Sequence, residues 1–160
     1  MNQNLRARLA FLLETVALES AHLLATDTRL FAEPFTAERA ATLPTDDTLA
    51  ERLDAFTARF GRLQDTAGDK LLPTLLQLLG EPVGSALDNL DRAARLGLLP
   101  GDSEGWLAAR ALRNRMVHDY IRNPAPLAEA VNAAHAAVPM LVGFAEACRA
   151  YAEARGLRDT

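Results

Sequence analysis

The segment from Leu49 to Leu78 carries its apolar or small side chains at intervals of four and three residues, and this periodicity constrains the fold more than any other feature. Such spacing places every member on one face of an α-helix and is typical of a helix packed in a bundle. The positions are Leu49, Leu53, Phe56, Phe60, Leu63, Ala67, Leu71, Thr74 and Leu78. Gly61, Gly68 and Pro73 lie inside the segment. Because Pro73 removes a backbone donor and clashes with the preceding turn, we expect a kink or a break close to Lys70.

The first half of the chain contains one further predicted helix and a long connection. The helix should run from about Asn4 to Ala25, where leucines recur at helical spacing. A cluster of threonine, aspartate and proline residues that includes Pro34 and Pro44 predicts the connection that follows. After the Leu49 segment, a shorter helix is expected to begin at Ser85, which can cap it together with Asp88.

The second half of the chain predicts two more helices. One begins at Asp102 or Ser103 and continues through Tyr120. The last runs from about Pro126 to Arg155, with Pro139 as a second predicted kink. No segment alternates with the period of a β-strand. The sequence therefore predicts one all-α domain spanning residues 1–160, built as an up-and-down bundle of four or five helices.

Composition limits the cellular compartment in which the protein is expected and the classes of partner, membrane or nucleic acid, that it can bind. Cys148 is the one cysteine, so the chain has no intramolecular disulfide and no cysteine-based zinc cluster, which fits a reducing compartment. Cys148 also falls on the apolar stripe of the last predicted helix. We therefore expect a cytoplasmic protein with Cys148 in its core. Glu14 and Glu19 interrupt the apolar run near the N-terminus, and no stretch approaches the uncharged length of a membrane span, so no membrane partner is expected. The net charge of -4 argues against a generally basic surface, so any binding of nucleic acid must be local.

Positive charge is concentrated at the end of the fourth predicted helix. From Arg110 to Arg122 the chain has four arginines and one acid, Asp119, which predicts a small anion-binding patch in an acidic protein. Helical spacing places Arg113 on an apolar stripe with Trp106 and Met116. Because arginine is rarely buried without a partner, this position needs an explanation.

Asn114 and His118 lie four residues apart on a neighbouring stripe with Ile121, about 100° around the helix from Arg113. A cation, an amide and an imidazole thus gather near one helix end. A purely structural explanation is available, because Arg113 can pair with a carboxylate on another helix and His118 can cap carbonyls at the end of its own helix.

A resemblance of this segment to a known family favours a functional explanation. The string Arg113-Asn114-Arg115-Met116-Val117-His118-Asp119-Tyr120 is similar to the signature of the HEPN superfamily, and it resembles most the branch that forms toxins in toxin–antitoxin pairs with a minimal nucleotidyltransferase. The motif itself covers eight residues. It follows three predicted helices and precedes Asn-Pro and one more long helix, so the resemblance extends in outline over most of the chain.

The resemblance implies a metal-independent endoribonuclease without a cofactor, in which Arg113 and His118 from two subunits of a homodimer line one cleft that receives RNA. An imidazole titrates near neutrality and suits the removal of the ribose 2′-hydroxyl proton, which is the role of His118. A guanidinium stays charged and forks onto phosphate, so Arg113 would stabilise the phosphorane. Asn114 would orient the imidazole or a phosphate oxygen. Flanking phosphates would be held by Arg110, Arg115 and Arg122.

The resemblance also implies a partner and a form of regulation. A nucleotidyltransferase antitoxin would attach a nucleotide to Tyr120 and so silence the protein. Members of this fold also serve as non-catalytic substrate-binding partners of nucleotidyltransferases, and an adaptor of that kind is the alternative function.

Other polar residues give weaker indications. His22 and His135 lie on different predicted helices without clustered Cys, Asp or Glu beside them, so we expect no metal site. Asp65 and Asp69 lie four residues apart. They can pair with Arg113 or tune His118, and a solvated acidic face explains them equally well.

Overall fold

The computed structural model describes residues 2–120 and 122–157, and within these residues all regular secondary structure is helical and there is no strand. This confirms the predicted all-α bundle. Ile121, which the sequence places on the His118 stripe, lies outside the described residues. The helices are α1 (Asn2–Leu30), α2 (Ala37–Ala41), α3 (Asp47–Gln64), α4 (Leu72–Leu78), α5 (Ala86–Arg95), α6 (Ser103–Asp119) and α7 (Pro124–Ala154).

The apolar stripe that begins at Leu49 forms the centre of the bundle. Its members are buried from Leu49 to Thr74, and Leu78 is half-buried at the end. The stripe continues from α3 to α4 through a π-helical segment, Asp65–Leu71. The chain therefore buries one continuous face, as the spacing predicts.

The predicted kink or break near Lys70 takes the form of this π-helical segment. The backbone N–H of Leu72 donates to the carbonyl of Ala67, five residues earlier, which is the wider hydrogen-bonding pattern of a π-helix. Pro73 then falls in the first turn of α4, where its missing N–H costs little. The Thr66 hydroxyl donates to Glu19 of α1 at 2.9 Å, and burial raises the pKa of that carboxyl. The π segment is thus held against α1.

Helix α1 is longer than its polar C-terminal residues suggest. The hydroxyls of Thr26 and Thr28 donate to the carbonyls of His22 and Leu24, at 3.0 and 2.9 Å, so both side chains bond to their own helix and do not end it. The helix continues to Leu30, which is fully buried. The connection that follows is not irregular throughout, because it contains α2 and a 3₁₀ turn, Leu43–Thr45.

The other helix ends follow the capping residues of the sequence. Ser85 accepts a hydrogen bond from the backbone of Asp88, and Asp102 accepts one from the backbone of Gly105 at 2.8 Å. Helix α6 begins there and packs against α3 and α7. Helix α7 passes through Pro139 as one helix. Cys148 is buried as expected, and burial raises the pKa of its thiol to about 12.

Two helices are long and apolar enough, by length and composition alone, to cross a membrane. They are Gln3–Leu30 and Pro124–Ala154, with 39% and 44% of their most apolar windows buried inside the protein. The sequence-based argument against a membrane span required an uncharged stretch, so it stays a prediction beside this looser criterion. The criterion is weak, since core helices of soluble proteins and signal sequences both meet it.

Candidate functional site

Arg113 lies flat against the backbone of α3 because residue 61 is a glycine. A Cβ atom placed on Gly61 would lie 2.6 Å from Cζ and 2.8 Å from Cδ of Arg113, closer than any side chain can approach. Gly68, seven residues later, similarly allows the ring of Trp106 to approach. Because these two positions have no side chain, α6 packs close to α3. The close packing sets the position along α3 at which the Arg113 side chain lies between the two helices.

An ion pair holds the Arg113 guanidinium. Its NH1 donates to Oδ2 of Asp65 at 2.9 Å, and the Arg113 side chain keeps 41% of its exposure. A guanidinium has five N–H donors, and the bond to Asp65 uses one of them. The carboxylate therefore orients the group and leaves donors that can bind an anion.

A second ion pair lies one turn earlier on α6. Arg110 NH2 donates to Oδ2 of Asp69 at 3.0 Å, with both side chains more than 40% exposed. Both acids belong to the π segment. Asp65 thus pairs with Arg113, as the structural explanation for Arg113 predicts. Asp69 pairs with Arg110, which the sequence did not predict, and both acids stay partly exposed.

A cavity of about 320 Å³ opens beside Arg113, between α3 and the end of α6. Its polar groups come from Asp54, Thr57, Arg113 and Tyr120, and Val117 contributes an apolar wall. It brings together four residues of the sequence motif, of which Met116 and Val117 are apolar and Arg113 and Tyr120 carry the polar groups. A ligand here would contact a guanidinium and a phenol of the same chain.

Tyr120 is half-buried, and its phenol lies beside acidic groups of α3. Burial raises the pKa of Tyr120, and the charge of Asp54, a hydrogen bond to Asp54 and the charge of Asp47 raise it further. Tyr120 therefore stays protonated at neutral pH. Asp54 is placed to accept the phenolic proton if the oxygen reacts.

Replacing Asp54 with asparagine is expected to lower the pKa of Tyr120 towards the ordinary tyrosine value, because a negative charge next to the phenol is removed. Tyr151→Phe would leave Tyr120 as the one tyrosine, so that phenolate absorbance during a pH titration reports on it alone. Because the pKa of Tyr120 is higher in the folded state, its protonated phenol stabilises the fold at pH values below the pKa of an unfolded tyrosine. This stabilisation is lost as the pH rises through the pKa of Tyr120 in the folded state. Asp54→Asn should reduce that alkaline loss. Asp69→Asn is the matched control. An equal shift in the pKa of Tyr120 in both variants would contradict the conclusion that Asp54 raises this pKa.

His118 and Asn114 do not line this cavity. Both are exposed on α6, and neither makes a side-chain hydrogen bond or ion pair with the part of the chain that the structure describes. Five residues separate Arg113 from His118, so their side chains leave the helix about 140° apart. The predicted capping of carbonyls by His118 is not seen among the described residues. One chain thus presents the arginine and the histidine in different directions.

The two remaining arginines of the patch are more open. Arg115 lies 3.8 Å from Glu129 of α7, a long and exposed ion pair. Arg122 is exposed and has no side-chain partner within residues 2–120 and 122–157. The local excess of positive charge is consequently reduced by three carboxylates, from Asp65, Asp69 and Glu129.

Sequence reasoning missed Gly61 and Asp54 as parts of this site. A signal for both exists, because Asp47, Asp54, Gly61 and Gly68 recur at intervals of seven residues on one helix. That spacing places these four residues on a second face of the helix, which we call the narrow face because it consists of short polar side chains and glycines. The narrow face contacts α6, whereas the apolar stripe contacts the core. Glycines inside a helix reduce its intrinsic stability, and close packing by a neighbour is one reason to keep them.

Of the other two histidines, His135 has a structural partner for its side chain. His135 Nδ1 lies 2.7 Å from Asp27 Oδ1, and its ring stacks on Phe31 with centroids 3.9 Å apart. The backbone carbonyl of His22 accepts from Thr26. Within the described residues, no group of three or more His, Cys, Asp or Glu side chains could hold a metal ion.

Comparisons with protein-family models, with curated proteins and with solved structures each found no match.

Proposed function

We propose that this protein is a metal-independent endoribonuclease that acts as the toxin of a toxin–antitoxin pair in the cytoplasm. One observation carries the proposal: Arg113, in the last turns of α6, bonds to Asp65, packs on Gly61 and lines an open cavity. A preorganised guanidinium beside open space suits a phosphate that gains charge in the transition state. The similarity of the surrounding motif to the HEPN signature supplies the reaction class.

The chemistry needs only groups of this chain and water. The 2′-oxygen of ribose attacks the adjacent phosphorus while its proton passes to His118. The bond to the 5′-oxygen of the next nucleotide breaks, and that oxygen takes a proton from water. Arg113 stabilises the negative oxygens of the phosphorane. The products are a 2′,3′-cyclic phosphate and a 5′-hydroxyl end. Asn114, on the same face as His118, would orient the imidazole or a phosphate oxygen. Flanking phosphates would bind to Arg110, Arg115 and Arg122.

The directions of Arg113 and His118 favour a site shared by two copies of the chain. Because the two side chains leave α6 about 140° apart, a site built from Arg113 of one protomer and His118 of another brings both groups to one phosphate more directly than a single protomer does. Two-fold pairing along α6 would place His118 of one protomer near Arg113 of the other. The composite cleft is thus part of the proposal.

We predict that the protein is a homodimer built around α6 and that Val117→Asp dissociates it. Val117 is 64% exposed next to the cavity, and a carboxylate at a buried apolar contact is costly. Leu18→Asp on α1 is the matched control, because Leu18 is 63% exposed. Light scattering and RNA cleavage would be measured together. Dissociation by Leu18→Asp, with Val117→Asp still dimeric, would place the interface on α1 and contradict the composite cleft.

The decisive experiment is cleavage of RNA by the purified protein in the presence of a chelator. The expected result is unchanged cleavage that yields 2′,3′-cyclic phosphate ends, because the 2′-hydroxyl is the nucleophile. A 2′-deoxy substitution at the cleaved nucleotide should stop the reaction. Loss of activity in chelator, or cleavage of the deoxy substrate, would overturn the metal-free mechanism.

Within this proposal, Tyr120 is the residue that a nucleotidyltransferase antitoxin modifies. A nucleotide on the Tyr120 oxygen would place a phosphate in the cavity beside Arg113 and repel the RNA phosphate. Mass spectrometry after co-expression with a minimal nucleotidyltransferase should find the added nucleotide on Tyr120. The Tyr120→Phe variant should stay unmodified, and modification of the second tyrosine, Tyr151, would remove Tyr120 from this role.

A non-catalytic adaptor of a nucleotidyltransferase is the second candidate. The observation that favours it is the pairing of Arg110 and Arg113 with Asp69 and Asp65, which neutralises the cations that RNA would need. An adaptor would bind the enzyme without cleaving RNA, and His118→Ala would not affect that binding. The cleavage assay in chelator separates the two functions.

A further inference from the structure

Three arginines converge on a second cavity, which shares no lining residue with the cavity at Arg113. It has a volume of about 280 Å³ and lies between the end of α1, α2 and the start of α3. Arg29, Arg39 and Arg52 line it, together with Thr48 and two acids, Glu33 and Asp46. The lining carries three positive and two negative charges, a formal excess of one in a chain of net charge -4. We call it the arginine pocket.

Arg39 is the rigid member of the pocket. Its NH1 donates to the carbonyls of Leu30 and Glu33, at 2.7 Å each, and its guanidinium lies 5.7 Å from the centre of the Phe35 ring. These contacts fix the plane of the group. Because the two bonds use one nitrogen, the other N–H donors of Arg39 stay available.

Arg29 and Arg52 supply positive charge without a counterion. Both are exposed, and neither has a side-chain hydrogen bond or ion pair with any residue that the structure describes. The first backbone N–H groups of α3 lack intrahelical partners and add partial positive charge beside Thr48. Three guanidiniums at one cavity repel each other unless an anion lies between them.

The two acids of the pocket differ in their freedom to act as that anion. Asp46 caps α3, because its Oδ1 accepts a hydrogen bond from the backbone of Leu49 at 3.0 Å. Glu33 has no side-chain hydrogen bond or ion pair among the described residues. Glu33 is therefore the internal competitor of an incoming anion.

We propose that the arginine pocket binds the terminal phosphate or diphosphate group of a ligand. Planar guanidiniums match the oxygens of phosphate, and several of them together favour a dianion over the single charge of an internal phosphodiester. A cavity of about 280 Å³ is smaller than most sites for whole small molecules, so it holds the charged end of the ligand. Two sources share this chemistry: a free nucleotide, and an RNA with a phosphorylated 5′ end.

The arginine pocket is separate from the cavity at Arg113. Arg52 and Asp54 are two residues apart on α3, so their side chains point about 160° apart around the helix. Binding there does not depend on the proposed ribonuclease activity, and either proposal can fail alone.

The test is a calorimetric titration of the full chain with pyrophosphate. Saturable binding is expected, and Arg29→Ala and Arg52→Ala should each weaken it about tenfold, the usual loss for a charge-assisted hydrogen bond. Glu33→Gln should tighten binding because it removes the competing carboxylate. Arg62→Ala, an exposed arginine on the same helix, is the matched control, and circular dichroism checks that each variant is folded. No binding by the wild type, or equal losses in all three arginine variants, would overturn the proposal.

Competition against pyrophosphate identifies the source of the phosphate. Displacement by ATP would indicate a nucleotide, and displacement by 5′-triphosphorylated RNA but not ATP would indicate an RNA end. Both results support a terminal-phosphate site. An RNA with a 5′-hydroxyl that competes equally well would show that internal phosphodiesters suffice, and this would overturn it.

Discussion

His118→Ala is expected to reduce the rate of RNA cleavage by about 10²- to 10⁴-fold, which is the usual loss when a general base is removed. The substitution should leave the fold intact, because His118 is exposed and has no side-chain partner in the described part of the chain. Cleavage rates and thermal unfolding would be measured on the same preparations. Expression of the wild type should inhibit growth, and expression of the variant should not.

His22→Ala is the matched control for this prediction, since His22 is also an exposed histidine on a helix. It should cleave at the wild-type rate. If His118→Ala also cleaves at that rate, the metal-free mechanism fails and the adaptor becomes the better explanation. If mixed dimers of His118→Ala and Arg113→Ala protomers recover part of the activity, the cleft contains groups from both subunits.

Gly61→Ala should lower cleavage by roughly 10²-fold although residue 61 touches no substrate, because a catalytic group displaced by about 1 Å loses that much. The new methyl group would overlap Cζ and Cδ of Arg113, and the long side chain must move away. Its bond to Asp65 is then lost. Alanine favours a helix over glycine by about 1 kcal/mol, so the fold should be no less stable. Reduced activity with retained stability is the expected pair of results.

A double-mutant comparison makes this prediction sharper. If Gly61→Ala acts only by moving Arg113, it should cause no further loss in an Arg113→Ala background. Arg113→Lys should recover little of the cleavage activity that Arg113→Ala loses, because an ammonium keeps the charge and loses the planar fork. Gly105→Ala on α6 is the control, since a Cβ there meets only ordinary contacts of 3.4 Å or more. Wild-type cleavage by Gly61→Ala would show that the position of Arg113 does not matter for the reaction.

The helices and their ends follow directly from the sequence. The stripe from Leu49 identifies the central face, and Asp102 and Ser85 mark helix starts through their own side chains. These features depend on residues a few positions apart, which the helical repeat places at fixed distances whatever the rest of the chain does. The fate of Pro73 was less predictable. A break in the helix and a π-helical turn can each accommodate the missing backbone donor of Pro73. Because the apolar stripe is buried both before and after Pro73, the turn that keeps the stripe continuous is favoured.

The sequence by itself thus determined the all-α class, the buried faces and the segment in which Arg113, His118 and Tyr120 are grouped. Only the tertiary structure decided what each of them faces. Arg113 meets Asp65 and Gly61, and Tyr120 meets Asp54, because α6 lies against the narrow face of α3. His118 faces away from both. Such contacts join residues about fifty to seventy positions apart, and they depend on how each helix is rotated about its axis, which side-chain packing sets and local sequence does not.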